Sequence, residues 1–338
     1  MGKESFKILS IDGGGIRGVF PAMFLASIEA YLKNKEIEKW QIYQHFDLIC
    51  GTSTGGILAI ALALGIPAIE IHKLYMENAA YIFGNKRGWL KSVFLPSYDR
   101  KHLEVLLKET FTSHNNGEEP RLGDCKTNIC IPIYDLLHGK PSVCKNNYHL
   151  KFTRDFHVPA YKVALATSAA PTYFNPYSTT YKDLNGIDRA FSNKVDGGVM
   201  ANNPTLVGII EAQAAFKQPL SNLKVLSIGT GHQKFTDGNN LQKCGLKYWL
   251  FPNKPIIELF MQGQSQQVEN LISLLQNGID GEKKNMPEFV YKRIDTEFDG
   301  TSNIKMDETD NAKLNKLAEK AHFEFSTHAS EIIDNYFK

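Results

Sequence analysis

FDLICGTSTGGILAIALAL, residues 46–64, decides how this chain folds. Residues 46–50 read as a short apolar strand of the kind a parallel sheet buries on both faces. Residues 57–64 read as an apolar helix, closed by Gly65 and Pro67. Between them Gly51-Thr52-Ser53-Thr54-Gly55 satisfies G-x-S-x-G in the strand–turn–helix setting that motif requires. A sharp turn there holds the serine in strained backbone geometry, and small residues two positions to each side let neighbouring chain pass closely. The hydroxyl then points out at the carboxyl end of a sheet, beside a helix N-terminus that favours developing negative charge. The plainer alternative is a glycine-rich turn in which Ser53 merely caps the helix.

Residues 48–69 carry no charge and are long enough to span a bilayer. The polar, glycine-rich CGTSTGG at one end and Pro67 at the other favour a buried strand, turn and helix, so no transmembrane helix is expected.

A second glycine-rich stretch precedes this one. ILSIDGGGIRGVF, residues 8–20, takes an apolar strand (7–11) through Asp12 and three glycines into a helical pattern over 19–34. Residues 13–18 satisfy G-x-G-x-x-G, which raises a dinucleotide cradle as an alternative. Two features oppose it. Asp12 would set a negative charge beside the pyrophosphate, and the next strand ends in Cys50 rather than in an acidic residue. The same glycines can instead offer unobstructed backbone N–H groups to an oxyanion.

A nucleophilic serine needs a base. Asp196 stands where a strand ends in DGG, and His232 lies just past the apolar strand 224–228 and GTG. Ser53, Asp196 and His232 follow the Ser…Asp…His order of α/β-hydrolases, so a conventional triad stays open beside a dyad.

Outward from these motifs the chain reads as strands alternating with helices. Helices are expected at 68–83, 99–111, 159–168, about 204–216 and 311–336. Further strands are expected at 128–134 and 289–294, and Asn185-Gly186 signals a hairpin within 181–191. Residues 112–126 read as a polar loop. No repeat or linker interrupts the 338 residues, so one domain over 1–338 with a mostly parallel sheet between helical layers is expected.

Bulk composition narrows the function classes. Hydrophobic residues make up 43% and charged residues 22%, ordinary for a globular enzyme. A net charge of +2 gives no reason to expect a nucleic-acid polymer as partner. Five scattered cysteines without a C-x-x-C pair fit a reduced cytoplasmic protein, and residues 1–7 lack a signal-peptide core. No His, Cys or acidic cluster has metal-ligand spacing, so neither metal nor cofactor is expected.

DGGGIRG, GTSTG and DGG, in that order, together with ATSAAPTYF (166–174), DGGVMANNP (196–204) and SIGTG (227–231), resemble the patatin-like phospholipase family. The likeness covers residues 7–231, and residues 233–338 are the least well matched. It implies a three-layer α/β/α fold and lipid acyl hydrolysis by a serine–aspartate dyad without histidine. By position Ser53 matches the nucleophile and Asp196 the proton acceptor. Gly13, Gly14 and Gly15 match the oxyanion loop with Arg17 as companion, and Gly18, Gly51, Gly55, Gly197 and Gly198 support the motifs.

A solvated aspartate, pKa about 3.9, is a poor base for a serine hydroxyl. An apolar, water-poor cleft raises its pKa and its basicity. Membrane phospholipids are the implied substrate. Residues 81–98 and 246–255, rich in aromatics and lysine or arginine, are candidate peripheral membrane contacts.

The runs SYDRKHLEVLL (97–107) and VPAYKVALATSAAPTYF (158–174) resemble bacterial patatin-like effectors of anti-phage signalling. That resemblance implies a cyclic di- or trinucleotide activator; since the motifs account for the catalytic core, residues 233–338 with the loop 112–126 are the expected receptor. It also implies action at the inner face of the cell membrane and a switch between occluded and open or homo-oligomeric states. An unregulated lipase, a storage or scaffold protein with a dead site, and a silent nucleotide-binding module are the alternatives.

Overall fold

The computed structural model describes residues 5–84, 86, 95–233, 255–278, 289–298 and 303–338. Ten strands are described: β1 (Phe6–Ile11), β2 (Leu48–Gly51), β3 (Asn128–Asp135), β4 (Lys140–Lys145), β5 (Tyr177–Lys182), β6 (Asp188–Asp196), β7 (Leu223–Ile228), β8 (His232–Gln233), β9 (Val290–Ile294) and β10 (Glu297–Phe298). The helices are α1 (Val19–Asn34), α2 (Thr54–Ala63), α3 (Ala68–Phe83), α4 (Lys101–Ser113), α5 (Ala160–Thr167), α6 (Gly198–Ala201), α7 (Thr205–Ala214), α8 (Pro255–Asn277) and α9 (Asn311–Tyr336).

The main sheet runs β5-β6-β3-β2-β1-β7-β9, with β4 pairing with β3 off that path. Strands β3, β2, β1, β7 and β9 are mutually parallel, and β4, β5 and β6 form the antiparallel end. The chain moves from β1 through β2 to β3, then returns to place β7 on the other side of β1. Such a reversal opens a crevice at the carboxyl ends of the inner strands, where open α/β sheets carry their sites. Both glycine-rich turns lie there.

Alternation along the strands produces the three layers. Leu9, Ile11, Ile49, Ile129 and Ile131 join the core beneath α1, α2, α3 and α9. Ile8, Leu48, Cys50, Cys130 and Val225 face the other way, into a core shared with Ile209 of α7 and Val268 and Ile272 of α8. Consecutive residues of β1 thus feed opposite cores, which is why that strand reads as unbroken apolar sequence.

The spacing-based expectations for 19–34, 68–83 and 311–336 coincide with α1, α3 and α9. The expected hairpin forms between β5 and β6, with Gly186 at φ 76° in its turn. Strand β4 and the long helix α8 escape the sequence reading. In α8 the polar run QGQSQQ (262–267) breaks the apolar periodicity that marks a surface helix.

The least-matched part of the chain is built into this framework where it is described. Strand β9 extends the parallel sheet beside β7, and Phe325 of α9 packs edge-on against Phe24 of α1 at 6.0 Å. No helix among the described residues is long and apolar enough to cross a membrane.

Candidate active site

Ser53 is the last residue before α2, with φ 55° and ψ −122°. That is a conformation a non-glycine residue holds only under constraint. Close packing supplies it: a Cβ on Gly51 would collide with the carbonyl of Gly55, and one on Gly55 with the carbonyl of Ile11. The Ser53 N–H donates to Thr167 Oγ1 at 3.1 Å, and Thr167 in turn donates to the Pro132 carbonyl at 2.7 Å. The elbow is therefore tied both to α5 and to the sheet.

The Ser53 hydroxyl donates to Asp196 Oδ2 at 2.6 Å. Asp196 ends β6, and its other oxygen accepts the Gly198 N–H at 2.7 Å. Burial drives the Asp196 carboxyl up to about 7, although the bonds from Ser53 and Gly198 pull the other way. A carboxylate so placed can take the serine's proton near neutral pH. Among the described residues no histidine bonds to either side chain. His232 lies on β8 with Nδ1 3.3 Å from Asp295 Oδ2, which raises its pKa, and it faces a different cavity.

The glycine turn after β1 is pinned at several points. The Asp12 N–H donates to the Ile228 carbonyl at 3.0 Å, the Gly13 N–H to the Asn202 carbonyl at 3.0 Å, and the Ile16 N–H to the Met306 carbonyl at 2.9 Å. Thr230 Oγ1 donates to the Gly13 carbonyl at 2.9 Å. The N–H groups of Gly14 and Gly15 donate to no other described group. Gly15 has φ 60°, and a Cβ there would strike the Met306 carbonyl. Two free donors in a buried turn, beside the serine, are what a developing oxyanion requires.

Arg17 sits in the 3₁₀ turn Gly15–Gly18, where its Nε donates to the Gly14 carbonyl at 3.3 Å and braces the loop. Arg17 lines the polar cavity that contains His232, not the cavity that contains Ser53. Gly18 lets the turn approach Thr54, and Gly197 lies against the Pro132 carbonyl.

The cavity at Ser53 is apolar and takes in about 580 Å³ including its open mouth. Ile57, Ile82, Phe83, Leu103, Tyr173 and Phe174 form its walls, and Ser53 and Asp196 lie in it. Such a lining suits a hydrocarbon chain and keeps water from the carboxylate. Met261 from α8 and Met306 from the segment before α9 complete it. No local motif announces these two residues, because they reach the site through the fold.

The patatin-like phospholipase profile matches residues 9–209. The chain belongs to the patatin-like phospholipase family. It has the serine-dependent lipid ester hydrolase chemistry of that family, on a patatin fold. Patatin-like protein 2 of Oryza sativa subsp. indica is 32% identical over 308 residues, covering 82% of this chain and 74% of that protein. A protein named cGAMP-activated phospholipase from Vibrio cholerae is 35% identical over 249 residues, covering 69% of this chain and 66% of its own. One of the same name from Escherichia coli is 36% identical over 236 residues, covering 68% and 63%.

Among the described residues no group of three or more His, Cys, Asp or Glu could hold a metal ion. The proposed membrane-facing stretches fall largely outside the described residues, at 85, 87–94 and 246–254. The region expected to receive a nucleotide is only partly described, and β9 and α9 within it serve the sheet and core.

Proposed function

We propose that this chain is a phospholipase A-type lipid acyl hydrolase that works through a dyad of Ser53 and Asp196. One observation carries the reading: the Ser53 hydroxyl bonds directly to a buried carboxylate, at 2.6 Å, in an apolar cavity beside two free backbone N–H groups. Ser53 Oγ attacks the ester carbonyl and its proton passes to Asp196 Oδ2. The negative charge that forms on the carbonyl oxygen is met by the Gly14 and Gly15 N–H groups. Collapse expels the glycerol oxygen, which takes the proton from Asp196 and leaves an acyl-serine. Water then gives a proton to Asp196, attacks the acyl carbonyl and releases fatty acid as Ser53 is reprotonated.

Control by a cyclic nucleotide is part of the proposal, supported by the two bacterial relatives named cGAMP-activated phospholipases. The enzyme acts at the inner face of its own cell's membrane, as an antiviral effector, and is held inactive until the nucleotide arrives. A ligand that moves such a switch from 1:99 to 99:1 must prefer the active state by about 10⁴-fold. The whole chain, 1–338, serves as one domain in this reading.

The test is fatty-acid release from phospholipid vesicles, with and without cGAMP. Wild-type protein should release fatty acid strongly only with the nucleotide, and Ser53→Ala should retain no more than a few per cent at unchanged stability. Full activity in the apo protein would remove the regulatory half. Activity that survives Ser53→Ala would remove the nucleophile.

A further inference from the structure

The face of the glycine turn opposite the apolar cavity opens into a second, polar cavity of about 770 Å³ including its mouth. Its floor is α8, which turns Glu258, Gln262, Ser265, Gln266 and Glu269 inward as one helical stripe. Gly13 and Asn202 lie on its wall, and Met261 lines both cavities.

Charge in this second cavity is sorted. Arg293 pairs with both Asp12 and Asp295, and His232 pairs with Asp295 as well. Three charged groups lining it have no ion-pair partner among the described residues. Arg17 is only 8% exposed, yet no described carboxylate lies within ion-pair distance and, among the described residues, only its Nε is hydrogen-bonded. Arg17 lines the cavity, with its Cζ 5.9 Å from the centroid of the Phe298 ring. A buried guanidinium without an anion is costly to keep, and its planar fork suits a phosphate. Glu258 and Glu269 line the same space and have no ion-pair partner among the described residues.

We propose that this cavity is the head-group subsite of the phospholipid, and that it selects a phosphodiester carrying an ammonium group. The inference rests on the reading of Ser53 as the attacking group. The acyl chain fills the apolar cavity and the ester carbonyl sits over the glycine turn. The glycerol backbone crosses at Met261, the phosphate pairs with Arg17, and the ammonium faces Glu258 and Glu269. One cation and two carboxylates, none of them paired among the described residues, match a zwitterion. They disfavour a ligand carrying only phosphates, a cyclic dinucleotide included.

The test separates head-group binding from chemistry. In Ser53→Ala protein, calorimetry should detect sn-glycero-3-phosphoethanolamine and a binding at least about tenfold weaker for sn-glycero-3-phosphoglycerol. Arg17→Gln should weaken the first by about 10- to 100-fold, the range for one lost charge-assisted bond, and Arg17→Lys should restore part of it. In active protein assayed with cGAMP, Arg17→Gln should lower kcat/KM by a similar factor on phosphatidylethanolamine, mainly through KM. On p-nitrophenyl butyrate, which lacks a head group, Glu258→Gln with Glu269→Gln should change kcat/KM by no more than about twofold. Glu258→Gln with Glu269→Gln should move preference toward phosphatidylglycerol. Four results would overturn the subsite: no binding of the phosphoethanolamine, equal losses on both esters for the glutamine pair, a preference untouched by that pair, or displacement of the phosphoethanolamine by cGAMP. Turnover persisting in Ser53→Ala would instead strike at the nucleophile, with the binding results unaffected.

Discussion

Arg293 Nη1 and Nη2 hold the two carboxylate oxygens of Asp12 at 2.9 and 2.7 Å. The arginine comes from β9, well past the residues that carry the family motifs, while Asp12 is the residue from which the glycine turn departs. Burial pushes the Asp12 carboxyl up to about 6 even though Arg293 opposes the rise. The same guanidinium also donates to Ser227 Oγ at 2.8 Å and to Asp295 Oδ2 at 2.9 Å. A late strand thus anchors the first turn of the chain.

Arg293→Met should cost about 3–5 kcal/mol of stability in chemical denaturation, because it strands Asp12 as a buried, unpaired carboxylate. Combining it with Asp12→Asn should recover roughly half of that loss, since residues in direct contact couple. Additive losses in the double variant would show that the pair does not act as a unit.

Gly14→Ala should lower kcat by about 10²–10³-fold with a smaller effect on KM, the signature of a donor used only in the transition state. The new Cβ would collide with the side chain of Thr230, which holds the Gly13 carbonyl. Adding Thr230→Gly should therefore recover activity in part. A change confined to KM would mark the turn as a ground-state binding loop.

The pH dependence of rate and of stability should run in opposite directions. As the base, Asp196 must be ionised, so kcat/KM should climb as pH rises through about 7. Its folded pKa lies above the unfolded value of about 3.9, so its contribution to stability is full below that pH and is lost as pH rises through about 7. Asp196→Asn should accordingly raise Tm by a few degrees at pH 8 and by less at pH 5. An unchanged Tm difference between the two pH values would argue that the carboxylate is not desolvated.

The elements with one clean signal were legible in the sequence. Helices α1, α3 and α9 carry regular apolar spacing, and Ser53 and Asp196 sit in short motifs that force sharp turns. Asp12, which counted against a pyrophosphate at the glycines, finds its partner only in Arg293, 281 residues away. Met261, Met306 and Arg293 have no local pattern because their roles come from long-range packing. Helix α8 was hidden for a related reason: its polar stripe faces a cavity rather than open solvent, so neither of its faces follows the usual rule.

The most direct test of the dyad compares Asp196→Asn with His232→Ala on p-nitrophenyl butyrate, an ester without a head group, at saturating cGAMP. A base bonded to Ser53 at 2.6 Å predicts a loss of at least about 10³-fold for Asp196→Asn. It predicts a change within about fivefold for His232→Ala, whose ring is engaged by Asp295. A loss of about 10³-fold or more for His232→Ala, with Asp196→Asn the milder of the two, would contradict the dyad and restore a conventional triad.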